Sequence, residues 1–153
     1  MSLTAAEKDI VRNTWALVRT DVKGNGSDLF LRLFDENPTY QGLFKAFKDV
    51  PKAELRGNKR FVAHVTNVMY NLSMLVDNID DTDVLVEMLA KMGDNHNRHK
   101  TTLQMFVNLK TSLFGLLVDK LGPTVMTADA VTAWDKTYSV ILSVVKPILE
   151  KPE

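Results

Sequence analysis

Cysteine is missing from all 153 residues, which excludes disulfides, thiolate metal sites and thiol nucleophiles. Neither sign of charge prevails, since 19 Lys and Arg face 19 Asp and Glu. No global field therefore favours nucleic acid or an acidic membrane. No apolar run approaches the length of a membrane span. The opening MSLTAAEKDIVRNTW carries acidic and polar residues where a signal peptide needs an apolar stretch. No serine stands in a Gly-x-Ser-x-Gly turn, and no phosphate-cradling loop follows a strand pattern. Internal repeats and low-complexity linkers are absent too. The expectation is one cytoplasmic domain over residues 1–153, with neither a nucleic-acid nor a membrane partner.

What is present is apolar enough to fold, at 45% apolar and 25% charged residues, and long enough for a substantial core. Thr4 with Glu7 is a capping box opening a helix with Ile10, Val11, Trp15 and Val18 inward. Lys23-Gly24-Asn25-Gly26 reads as a break, after which Ser27 starts a helix carrying Leu29, Phe30, Leu33 and Phe34. Asn37-Pro38 ends it, because proline disfavours helical backbone in the residue before it. Pro38 can itself open a short helix through Leu43, and Phe44 and Phe47 follow in an unusually aromatic loop. Thr101 or Thr102 starts a helix with Met105, Phe106, Leu109, Leu113, Leu116 and Leu117 inward, stopped by Gly122-Pro123. Thr127 and Asp129 start the last, with Val131, Trp134, Tyr138, Ile141, Leu142 and Val145 inward, and Pro147 ends or kinks it. Long alternating β-branched runs are lacking, so the fold class is all-α, with about seven to eight helices.

Chemistry concentrates between Phe61 and Lys100, which hold all three histidines: His64, His96 and His99. Phe61, Val65, Val68, Leu72 and Leu75 recur at helical spacing, and His64 falls inside that stripe. After Asp80-Asp81-Thr82, Val84, Leu85, Met88, Leu89 and Met92 form a second stripe, and His96 sits one turn beyond Met92. Zinc is a poor fit: His96 and His99 are half of a site that no HExxH motif or carboxylate pair completes. A haem fits better. Its iron takes a neutral imidazole nitrogen, its porphyrin needs an apolar slot, and its propionates prefer basic neighbours such as Lys59-Arg60 and Arg98-His99-Lys100.

In their order and spacing these residues resemble the globins, in particular single-domain molluscan ones, over essentially the whole chain. Trp15 in the first helix, Pro38 followed six residues on by Phe44, His64 with Val68 one turn later, Asn95-His96 before Arg98, and Ala133-Trp134 carry the resemblance. It implies a globin fold, a helical sandwich around haem b packed mainly at steep crossing angles. His96 is implied as the proximal iron ligand, its second ring nitrogen oriented by a main-chain carbonyl. His64 is implied on the distal side as a hydrogen-bond donor to the ligand. Phe30, Phe34, Phe44, Phe47, Val68 and Phe106 are implied as pocket lining, with Met92 under the proximal face where leucine or phenylalanine is more usual. His99, Lys45, Arg98 and Lys100 are candidates for the propionates, whereas Asn67 departs from the basic residue some molluscan relatives carry.

The function so implied is reversible binding of dioxygen, with carbon monoxide and nitric oxide as further ligands, in a monomer or homodimer that is not an enzyme. The alternative is a hexacoordinate globin in which His64 also binds iron, with a sensing, nitric oxide dioxygenase or peroxidase-like role.

Overall fold

A computed structural model describes residues 2–150. Six α-helices account for most of them: α1 (Ala5–Val18), α2 (Val22–Glu36), α3 (Lys59–Asp77), α4 (Thr82–Arg98), α5 (Leu103–Leu121) and α6 (Ala128–Leu149). Three short 3-10 helices, Arg19–Asp21, Tyr40–Leu43 and Lys52–Gly57, complete the order, and no strand occurs among the described residues. The count of α-helices is thus below the seven to eight expected. The segments after Pro38 and Pro51 are 3-10 helices of four and six residues, the form that short helical connectors commonly take.

Helix starts follow from side-chain caps. Thr4 and Glu7 form the reciprocal capping box of α1. Asn58 accepts from Arg60 N and Phe61 N to open α3, Asp81 accepts from Val84 N to open α4, and Thr102 and Thr127 cap α5 and α6. Gly122, at φ 77°, closes α5 in the left-handed region that glycine enters freely.

One boundary moves. The break expected at Lys23–Gly26 falls earlier, at the 3-10 turn Arg19–Asp21, and the glycines lie inside α2. Asp21 accepts from Gly24 N and starts the helix. Gly26 earns its place by contact: a Cβ there would stand 2.8 Å from Met69 Cγ and 3.1 Å from Val65 O. The glycine allows α2 to lie directly on the α3 backbone. Two inward assignments also fail, since Val84 and Val131 are exposed. Leu85 and Leu89 supply the inward positions of α4, while Ala130, Ala133 and Trp134 take the buried arc of α6. Pro147 does not end α6, which runs on to Leu149.

Packing is pairwise: α2 against α3 and α5, and α6 against α4, α1 and α5. Between them lies a core of Trp15, Leu29, Phe34, Phe61, Met69, Leu113, Leu117, Trp134 and Tyr138, all buried. Its polar heads are paired. Trp15 Nε1 donates to Ser73 Oγ at 2.9 Å, Trp134 Nε1 to Thr14 Oγ1 at 2.8 Å, and the Tyr138 hydroxyl to Phe106 O at 2.6 Å. Helices α3 and α4, though consecutive, are not among the closely packed pairs. The two histidine-bearing helices stand apart.

Candidate functional site

Helix α3 presents His64 on the arc that begins with buried Phe61 one turn earlier. Three phenylalanines hold the imidazole. Phe30 of α2 meets it edge-on with centroids 4.9 Å apart, Phe44 at 4.9 Å, and Phe47 at 5.8 Å. Phe34 touches Phe30, Phe44 and Phe47, so four rings from α2 and the loop after it form one cluster. None offers a hydrogen-bond partner. His64 Nε2 is accordingly buried without one, an arrangement that costs desolvation energy unless a further group meets it. Burial pushes its pKa down to about 4, with the charge of nearby His96 adding to the effect. The ring is neutral at physiological pH.

His96 lies in the last turn of α4. Its ring packs against Phe106 of α5 at 5.2 Å, and Nδ1 is 2.8 Å from Met92 O, one turn back. With the proton on Nδ1, the ring donates to that carbonyl and carries its lone pair on Nε2. The carbonyl of His96 in turn accepts from His99 N and Thr101 N, both at 3.1 Å, where the chain leaves the helix through Lys100 at φ 59°. Rotation of the imidazole is thereby fixed from within its own element.

The two rings are near enough for their charges to interact, yet their roles differ. One has a free basic nitrogen on an anchored ring. The other has an unsatisfied nitrogen in an apolar cage. Among the described residues no three histidines or carboxylates gather as a metal cage, so a metal held by His96 would bring its remaining ligands with it. A planar, mostly apolar iron macrocycle suits this donor set, and the orphaned Nε2 of His64 suits a small polar ligand on its far side.

The other expected site residues fall in three groups. Phe30, Phe44 and Phe47 converge on His64 with Phe34 packed behind them, and Phe106 meets His96. Val68 and Met92 are half-buried on the helices of the two histidines. His99 is exposed at the C-cap of α4, with Arg98 and Lys100 exposed beside it; Lys45 in the loop before α3 and Asn67 on α3 are exposed too. Sequence reasoning missed Phe61 as a wall of the cluster, although it stands 5.4 Å from Phe47 and 6.4 Å from Phe34. Its position one turn before His64 in the same stripe was the available signal. It also missed Asn108, whose amide donates to Tyr40 Oη at 2.7 Å and Asn37 Oδ1 at 3.2 Å, tying the corner after α2 to α5.

The family model described as Globin matches residues 27–145. A globin of Nerita albicilla is 28% identical over 144 residues, covering 94% of this chain and 91% of its own length. Neuroglobin of Danio rerio is 30% identical, covering 92% and 89%. Among solved structures, a double mutant of myoglobin from Aplysia limacina superposes with a TM-score of 0.85 at 25% identity, over 95% of this chain and 98% of that one.

Proposed function

The chain belongs to the globin family, and from that premise we propose that it binds haem b and uses it to take up dioxygen reversibly, for storage or intracellular transport. The family implies the haem. The b-type macrocycle and the ligand are the further step, and one observation carries it: an anchored imidazole with a free Nε2 near a caged imidazole with an unpartnered Nε2. A bound haem supplies a ferrous iron able to take dioxygen, carbon monoxide or nitric oxide.

The protein's part follows from its residues. His96 Nε2 would hold the iron, and the Met92 carbonyl fixes the ring and raises its basicity through the Nδ1 proton. Met92 and Phe106 flank that side. Phe44 and Phe47 would line the side of the group that His64 faces, and Phe30 with Phe34 would keep water out. His64, held neutral, keeps a proton on Nε2 to donate to an incoming ligand. Lys45, Arg98, Lys100 and His99, all exposed, would be the partners of the propionates.

The decisive experiment is purification with ample haem, comparing the wild type with His96→Gly. The wild type should show a Soret band and the variant should lose it; an unchanged spectrum in the variant overturns the assignment. A second reading, iron held by both histidines, is favoured by the orphaned Nε2 of His64 in the neighbourhood of His96. The deoxy ferrous visible spectrum separates the two, with one broad band for an open site and two sharp bands for bis-histidine ligation.

A further inference from the structure

The cage around His64 has two sources. Phe30 and Phe34 sit on α2, where helical hydrogen bonds fix them. Phe44 and Phe47 sit on the stretch between the 3-10 helices Tyr40–Leu43 and Lys52–Gly57, which belongs to no helix, yet both touch the imidazole. Backbone bonds there run three residues at a time. Phe44 N donates to Gln41 O at 3.1 Å, Phe47 N to Phe44 O at 3.1 Å, and Val50 N to Phe47 O at 3.2 Å. Spacing by three eclipses side chains along one row, so the Phe44 and Phe47 rings stack at 5.2 Å with 12° between their planes. Turn bonds of this kind hold little alone, because Lys45, Ala46, Lys48 and Asp49 all face solvent.

The side chain of Gln41 supplies a further constraint. Its Nε2 donates to Phe47 O at 3.0 Å and to Val50 O at 2.8 Å, so both hydrogens of one amide are used. A straight run at about 2 Å per residue would carry Val50 roughly 18 Å from Gln41. The chain instead curls around the amide, bringing both carbonyls within its reach. Among the described residues no other side chain donates to the main chain of 44–50. The amide also has a firm base. Tyr40, the preceding residue, accepts from Asn108 of α5 at 2.7 Å, and Asn108 donates as well to Asn37 at the end of α2.

We propose that Gln41 is a positioning residue for the ligand-side pocket. By holding two carbonyls it keeps the Phe44 and Phe47 rings closed on His64, and so sets how firmly an oxygen ligand is retained. The inference rests on the haem reading above. The physical link is water. His64 Nε2 is buried without a partner; a loop that opens admits water, which accepts the same proton and leaves the ligand more weakly held.

The test uses the haem-loaded protein and two variants. Gln41→Leu keeps the bulk and removes the donor; Gln41→Glu keeps the shape and turns a carboxylate toward two carbonyls. In the carbon monoxide complex, amide exchange at Phe44, Phe47 and Val50 should quicken roughly tenfold or more in both, while α6 amides keep their rates. Dioxygen dissociation should rise about three- to tenfold, and carbon monoxide dissociation less than about twofold, because the less polarised ligand gains less from the bond. In the His64→Leu background, Gln41→Leu should add nothing to the dioxygen rate, since the donor it positions is gone. Ser143→Ala removes a side-chain bond to a carbonyl within α6, Val140 O at 2.8 Å, and should leave every one of these rates unchanged. Unaltered exchange at residues 44–50 overturns the constraint. Equal rises for both gases, or a full effect of Gln41→Leu in the His64→Leu background, overturn the positioning role. Absence of a Soret band in the wild type sinks the haem reading and this inference together; a loaded protein in which Gln41→Leu alters neither exchange nor dissociation sinks this inference alone.

Discussion

His64 has the same ring as His96 but sits in another environment, and residue-scale predictions turn on that difference. A donor Nε2 in a cage of phenyl rings has no competitor for its proton, so an oxygen ligand receives the whole hydrogen bond. Charge-assisted bonds of this sort contribute roughly 1.5–3 kcal/mol, or about ten- to a hundredfold in affinity. His64→Leu should therefore raise the dioxygen dissociation rate by that order in stopped-flow mixing and hasten autoxidation; an unchanged off-rate rules the bond out. The same ring sets an acid response in the haem-free protein. Unfolded, it takes its proton near 6.5; folded, among Phe30, Phe44, Phe47 and the neighbouring His96, only near 4. Between those values protons favour the unfolded chain. This contribution is complete above pH 6.5 and is lost as pH falls to about 4, by up to about 3 kcal/mol, less where water reaches the ring edge. Chemical denaturation at pH 7 and pH 4.5 should show the loss, and His64→Leu should remove this part of it. The carboxylates held low by hydrogen bonds from lysine, Glu7 by Lys136 and Asp80 by Lys8, add stability that is lost as pH falls through and below the ordinary carboxylate range.

At the scale of elements, α2 and the 3-10 pieces show where sequence reading reaches its limit. The caps at Thr4, Thr102 and Thr127 were legible because capping is local and polar. Gly24 and Gly26 read as a break because glycine usually is one. Only the neighbour explains Gly26. Its missing side chain is the space that Val65 O and Met69 occupy. Gly26→Ala would gain some intrinsic helix stability but must push α3 away, and overpacking of this kind costs about 1–3 kcal/mol. The urea midpoint of the haem-free variant should fall. A midpoint that rises would mean α3 yields freely and the contact does not set the helix spacing. Because α3 carries His64, the same substitution should also slow ligand association by displacing the distal ring.

For the molecule as a whole, the haem should act as a structural element as well as a reagent. Phe44, Val68, Met92 and His96 are only half-buried in the chain alone, and α3 does not pack closely on α4. A group binding the folded state alone stabilises it by mass action, about 4 kcal/mol at a thousandfold excess over its Kd. Thermal unfolding should shift upward with added haem in the wild type and stay nearly fixed in His96→Gly. Equal shifts in both would place the haem elsewhere.

The sequence by itself determined the class of fold and the starts of α1, α5 and α6, and it singled out His64 and His96, because periodicity and capping act over a few residues and a polar ring in an apolar stripe stands out against it. Its resemblance to the globins supplied the order in which those pieces join. Tertiary structure alone decided which nitrogen of each imidazole is free, that Phe61 joins the cluster, that Val84 and Val131 face outward, and why Gly26 is glycine. Those facts depend on which distant side chain arrives at a given point and how closely, and no spacing along one chain encodes that distance.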